Sequence, residues 1–118
     1  MMDKRNLRIG DYVKDPNNYG YVCRVGIDEL RYAEIFQPAP LYEEFFTKNG
    51  IMPEEVVGET AYFLNKGPIL INARKKGEIW LVTVRNMADN RKFDGEIRHI
   101  HEFQHILDDC HVNLRLLS

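Results

Sequence analysis

The sequence has no long apolar run. Its densest hydrophobic window, Ile79 to Val84, falls far short of the roughly 20 residues a helix needs to span a bilayer. No apolar stretch follows Met1-Met2-Asp3-Lys4-Arg5-Asn6, so no signal peptide and no membrane segment are expected. Cysteine is scarce. Cys23 and Cys110 stand alone and far apart, which excludes a disulfide framework and makes a reduced, cytoplasmic setting the expectation. Charge of one sign is lacking too, with 16 Lys and Arg against 18 Asp and Glu and a net charge of −2. That balance argues against a general nucleic-acid binder. The basic cluster Arg74-Lys75-Lys76 abuts Gly77 and reads as a solvated turn. Repeats, low-complexity tracts and linkers are absent as well.

What remains is ordinary globular composition. Hydrophobic residues make up 44% and charged residues 29% of 118 positions, enough for one domain, 1–118, with a core of its own. Leu7 to Val13 alternates as a first strand interrupted at Gly10-Asp11, and Asp15 to Gly20 is dense in turn formers. Strands are expected over Tyr21 to Ile27 and Leu30 to Phe36. Short strands joined by tight turns give the N-terminal half an SH3-like or small-barrel character. Pro38 and Pro40 then stop that sheet.

Leu41 to Gly50 predicts a short helix. Glu43 and Glu44 occupy its first turn and Lys48 its last, Asn49-Gly50 supplies a left-handed end, and Leu41 and Phe46 form a hydrophobic staple. Phe45 and Phe46 are expected to anchor it to a sheet. Pro53 to Gly58 suggests another helical turn, because proline suits a first helical position. A meander follows: Thr60 to Leu64, Ile69 to Ala73, Glu78 to Arg85, then Phe93 to about Ile100 after a polar loop. Ile79 to Val84, apolar on both sides apart from Thr83, is the interior strand of choice, with Trp80 in the core.

The chemistry-bearing stretch is His101-Glu102-Phe103-Gln104-His105, an H-E-x-x-H pattern, with His111 six residues further on. On a helix His101 and His105 lie one turn apart and could share a zinc ion, with Glu102 as general base and His111 as third ligand. Context weighs against it. Asp108 stands where the pattern needs a glycine to turn the chain, and a continuing helix carries His111 out of reach of His105. The seven residues after His111 contain no methionine turn. Two further readings stand beside the enzyme. One is a two-histidine contact that picks up metal adventitiously. The other is a C-terminal helix that buries Ile100, Phe103, Ile106, Leu107 and Cys110, exposes its histidines, and leads into a closing strand from Val112 to Leu117. His99 is expected on the polar face of the last strand without a partner. Cys110 is expected as a buried hydrophobe.

Leu7-Arg8-Ile9-Gly10-Asp11-Tyr12-Val13, Pro40-Leu41-Tyr42-Glu43-Glu44-Phe45-Phe46 and Ile100-His101-Glu102-Phe103-Gln104-His105 resemble, in order, an uncharacterised family of small bacterial and prophage-encoded proteins. Its members read L-R-I-G-N-x-V, P-L-T-E-E-W-L and V-H-x-L-Q-N. Here Tyr42 replaces a helix-capping threonine and His105 replaces an asparagine. The resemblance therefore implies that H-E-x-x-H is a variation on a helix start rather than a family active site. The expected fold is α+β, a curled and mostly antiparallel sheet with two short helices packed on it. The leading functional expectation is a non-catalytic binding or accessory module of phage or mobile-element origin whose ligand the sequence does not identify, an unknown protein being one candidate partner. The alternatives are a compact zinc hydrolase and an adaptor that uses the edge of its N-terminal strands.

Overall fold

Between Met52 and Ile97 the chain alternates in-facing and out-facing residues, interrupted only by tight turns, and it folds there as a meander. The computed structural model describes residues 8, 11–15, 21–24, 37–114 and 116. Strands β4 (Met52–Val56), β5 (Glu59–Lys66), β6 (Ile69–Lys76), β7 (Ile79–Asn86) and β8 (Arg91–Ile97) pair antiparallel in that order. The sheet is curled and open. Its in-facing rows are set by register, with Tyr62 opposite Ala73 and Val82 opposite Ala73, and Leu64, Ile71 and Val84 aligned one row on. Trp80 lies opposite Ile97 on the same face and is 1% exposed.

The helical turn expected at Pro53 to Gly58 is instead strand β4 and the hairpin that follows it. Val56 and Glu59 flank a two-residue turn, so alternation places the backbone N–H position of Pro53 on the outer side of β4. An edge strand tolerates proline there because no ladder bond is lost. The proline signal suits a first helical turn and an edge strand equally well.

Helix α1 (Glu43–Lys48) forms inside the expected segment. Its N-cap Tyr42 makes no side-chain cap bond, since tyrosine is not among the short polar side chains that cap a helix start. Its other end is closed by Gly50 at φ 80°, with Gly50 N–H donating to Thr47 O at 3.1 Å and Ile51 N–H to Phe46 O at 2.9 Å. This is the six-to-one and five-to-two bond pair of a Schellman end. Ile51 and Phe46 are both fully buried, as the hydrophobic contact of that motif requires.

Phe46 sits at the centre of the core. Its ring centroid lies 4.7 Å from Trp80, 5.6 Å from Tyr62, 5.5 Å from Phe103 and 5.7 Å from Phe45. Helix α2 (Ile100–Asp109) contributes Ile100, Phe103, Ile106 and Leu107 to the same cluster. The apolar face expected for this helix, with Cys110 at its end, is buried throughout.

A second sheet of order β2-β1-β3, built from β1 (Tyr12–Asp15), β2 (Tyr21–Arg24) and β3 (Gln37–Pro38), covers the other side of α2. The strand expected over Leu30 to Phe36 lies outside the described residues, as do most residues of the Asp15 to Gly20 turn. The two sheets are joined by a bridge between Pro40 and His99, where Leu41 N–H donates to Arg98 O and Ile100 N–H to Ala39 O. The closing strand expected over Val112 to Leu117 does not form at Val112, Asn113, Leu114 or Leu116. Val112 and Leu116 are buried instead, and the Leu116 carbonyl accepts hydrogen bonds from Tyr12 Oη and Arg24 Nη2, each at 2.9 Å. The Leu116 carbonyl is thus satisfied by side chains of β1 and β2 rather than by a strand ladder. Among the described residues, no helix is long and apolar enough to cross a membrane.

Candidate functional site

The H-E-x-x-H segment opens α2, so its side chains are set by the needs of a helix start. Glu102 is the third helical residue, and its Oε1 accepts from Arg98 N–H at 3.1 Å, His99 N–H at 3.0 Å and His99 Nδ1–H at 2.8 Å. Those backbone donors precede the helix and have no partner within it. A general base needs a carboxylate oxygen aimed at water above a metal; the Oε1 of Glu102 is turned back to the helix entrance. His99, expected without a partner on the last strand, is the N-cap residue of α2 and stacks on His101 with 5.6 Å between ring centroids.

His101 and His105 do come together, as their one-turn spacing requires, with centroids 5.5 Å apart and rings at 72°. They do not face solvent. His101 is 8% exposed, and the His105 side chain is 17% exposed. Strand β1 and the residue before it lie over this side of α2, which a helical wheel drawn from the segment alone leaves bare. The His105 Nε2–H donates to Asp11 Oδ2 at 2.7 Å, and the same oxygen accepts from Arg8 N–H at 2.7 Å. Gln104 Oε1 accepts from Tyr12 N–H at 2.7 Å. Asp11 is itself buried, at 3% exposure. The polar seam between α2 and the N-terminal sheet therefore runs Asp11, His105, His101, His99, Glu102.

His111 is not part of it. Helix α2 continues through Asp108 and Asp109, and the left-handed residue is His111 itself, at φ 59°. His111 N–H donates to Asp108 O and Val112 N–H to Leu107 O, a second Schellman end built on a residue other than glycine. The His111 ring turns away to Asp89, with Nδ1–H donating to Oδ2 at 3.1 Å. Of the expected ligand set, the fold unites His101 and His105 and separates His111. Among the described residues, no three His, Cys, Asp or Glu side chains are placed to hold a metal ion. The donor set does not fit the zinc site that the motif suggests.

Asp11 and His99 are the members of this cluster that sequence reasoning missed. Asp11 reads as a turn residue beside Gly10, and its one visible signal is a carboxylate set in an apolar alternation. Two smaller clefts touch this seam, one of about 170 Å³ over Asp11, Gln104 and Leu107 and one of about 390 Å³ over Pro40, Trp80 and His99. A further cleft of about 610 Å³ lies between the β7–β8 turn and α2 over Arg91, Phe93, Ile106 and Cys110. Burial and the neighbouring Asp109 carboxylate push the Cys110 thiol up, so it behaves as the buried hydrophobe expected.

Burial holds the His101 imidazole below its ordinary value of 6.5. The Asp11 and Glu102 carboxylates oppose that shift, while the His105 and His99 rings add to it. Its Nδ1 is buried with no hydrogen-bond partner among the described residues. A histidine kept neutral in the fold but protonated near pH 6.5 when unfolded contributes stability that is complete above that pH. The contribution is lost as pH falls through 6.5 toward the depressed folded value. Thermal melts at a series of pH values should therefore show a steeper loss below 6.5 in the wild type than in His101→Leu. Parallel curves would remove His101 as the cause.

No family model matches the chain, and neither a curated protein nor a solved structure matches it.

Proposed function

We propose that the chain is a non-catalytic binding module whose binding surface is the side of the five-stranded sheet turned away from the core, together with the outer edge of β4. The observation that carries this reading is the composition of the out-facing rows. Phe63, Leu70 and Leu81 are half-buried and stand outside the core cluster. Their rows also contain Asn72, Thr83 and Asp94, and Glu54, Arg74 and Glu96. Asn72, Arg74, Leu81, Thr83, Asp94 and Glu96 line a cleft of about 320 Å³ on this face. Apolar centres ringed by both signs of charge are what a protein partner recognises. A cytoplasmic setting belongs to the same proposal and rests on cysteine usage. An accessory role in a bacterial or phage setting rests on the sequence resemblance.

The proximity of His101 and His105 keeps the zinc hydrolase as the reading to test against. Protein purified without nickel should hold far less than one zinc per chain by elemental analysis, in the wild type and in His105→Ala alike. One tightly held zinc, lost in His105→Ala and accompanied by peptide hydrolysis that Glu102→Gln abolishes, would overturn the binding-module reading.

A further inference from the structure

We propose that β4 and the tip of its hairpin form a docking site for an extended, lysine- or arginine-rich segment of a partner protein. The inference rests on the binding-module reading and specifies its partner. Met52, Val56 and Val57 are 53%, 44% and 97% exposed, and they are three of the five large hydrophobics exposed among the described residues. The apolar surface left to solvent is thus concentrated on one hairpin. Val57 also holds φ 51°, ahead of Gly58 at φ 79°, in a turn whose two central residues are both left-handed. Asn-Gly suits that turn; a β-branched side chain is strained in it. At 97% exposure, no packing among the described residues compensates Val57 for that strain. A partner's apolar contact would.

Charge selects the partner. Glu54 and Glu55 lie on the strand, and Glu59 begins the next. Helix α1 adds Glu43 and Glu44: burial first, then these two carboxylates, push the hydroxyl of Tyr62 up, and Tyr62 lies opposite Pro53 of β4. Arg74 is held 3.7 Å from Glu59, and Lys48 is drawn to the Tyr42 hydroxyl at 3.3 Å. An anionic lipid surface would be repelled. A second copy of this chain added antiparallel along β4 would set Glu54 against Glu54 or, in the next register, Glu55 against Glu55. A basic extended segment meets neither obstacle. Among the described residues β4 pairs only with β5, so its outer side offers the Pro53 carbonyl and the Glu55 N–H and carbonyl. That ladder is short, which leaves much of the recognition to the glutamates and the three apolar side chains.

The test is a nuclear magnetic resonance titration of the labelled full chain with a synthetic peptide of alternating lysine and valine. A control peptide carries glutamate in place of lysine. Saturable shifts should be confined to Met52 through Glu59 and their β5 neighbours, weaken with added salt, and be missing with the control peptide. The double variant Glu54→Lys, Glu55→Lys should bind about tenfold more weakly or worse. Val57→Asn suits the same turn, so its fold is retained while its affinity falls. Shifts at Leu81 and Thr83 instead of the edge would overturn the edge site and leave the binding-module reading standing. Absence of any shift overturns the edge site, while zinc content and hydrolysis still decide the reading on their own. Concentration-dependent shifts at β4 without peptide would identify a second copy as the occupant and overturn the proposal.

Discussion

Phe46→Ala is expected to cost about 3–5 kcal/mol of unfolding free energy, the range for emptying a buried phenylalanine position. Phe46 is fully buried and meets the rings of Phe45, Tyr62, Trp80 and Phe103, so it joins α1, the sheet and α2 in one contact set. Neighbours drawn from three rigid elements cannot collapse together into the space left behind. Against a typical total of roughly 5–15 kcal/mol, that loss approaches the stability of the whole domain. Urea midpoints for Phe46→Ala and for the out-facing Phe63→Ala provide the comparison, with the second expected within about 1 kcal/mol of wild type. Equal costs at the two positions would mean that the core is not centred on Phe46.

Asp11→Ala is expected to cost about 3 kcal/mol, although it removes only a carboxylate. The carboxylate is 3% exposed, and one of its oxygens accepts from both His105 Nε2–H and Arg8 N–H. Deleting it leaves the His105 donor, 17% exposed, without its acceptor, and takes from the Arg8 N–H the carboxylate that caps it. The predicted signature is non-additivity. Asp11→Ala and His105→Ala together should cost at least about 1 kcal/mol less than the sum of the single variants. Additive costs would show that the 2.7 Å contact contributes nothing of its own. Asp11→Asn retains an acceptor and should lose less than Asp11→Ala.

The meander and both helices were legible because their signals are local. Apolar and β-branched runs set between the turn formers at Asn65 to Pro68 and Arg74 to Gly77 mark β5 through β7, and the acidic first turn, Lys48 and Asn49-Gly50 bound α1. Where the reading fails, the deciding partner is remote. Pro53 is ambiguous until one knows that its strand is an edge. His101 and His105 look solvent-facing until Asp11 and Tyr12, more than 90 positions away, are laid over them. Val112 to Leu117 has the apolar content of a strand, but the Leu116 carbonyl finds Tyr12 and Arg24 instead. The same distance explains the H-E-x-x-H segment. Its spacing is correctly read as two imidazoles on one helical face, yet what that face meets is a carboxylate from the other end of the sequence. Glu102 is the exception, because a glutamate three residues past an N-cap is a helix-start signal in its own right.

The Asp11–His105, Tyr12–Gln104 and Tyr12–Leu116 bonds link positions separated by 94, 92 and 104 residues. A ribosome delivers the chain from its N-terminus. Asp11 and Tyr12 therefore emerge before the meander and meet their α2 partners after it, whereas each hairpin of the meander can close as soon as its second strand appears. The order of assembly is the reverse of the order of synthesis for the N-terminal sheet. Until residues 100 to 109 are released, Tyr12 and Val13 have no helix to cover, and the nascent chain shows chaperones and proteases an apolar segment that the finished fold conceals.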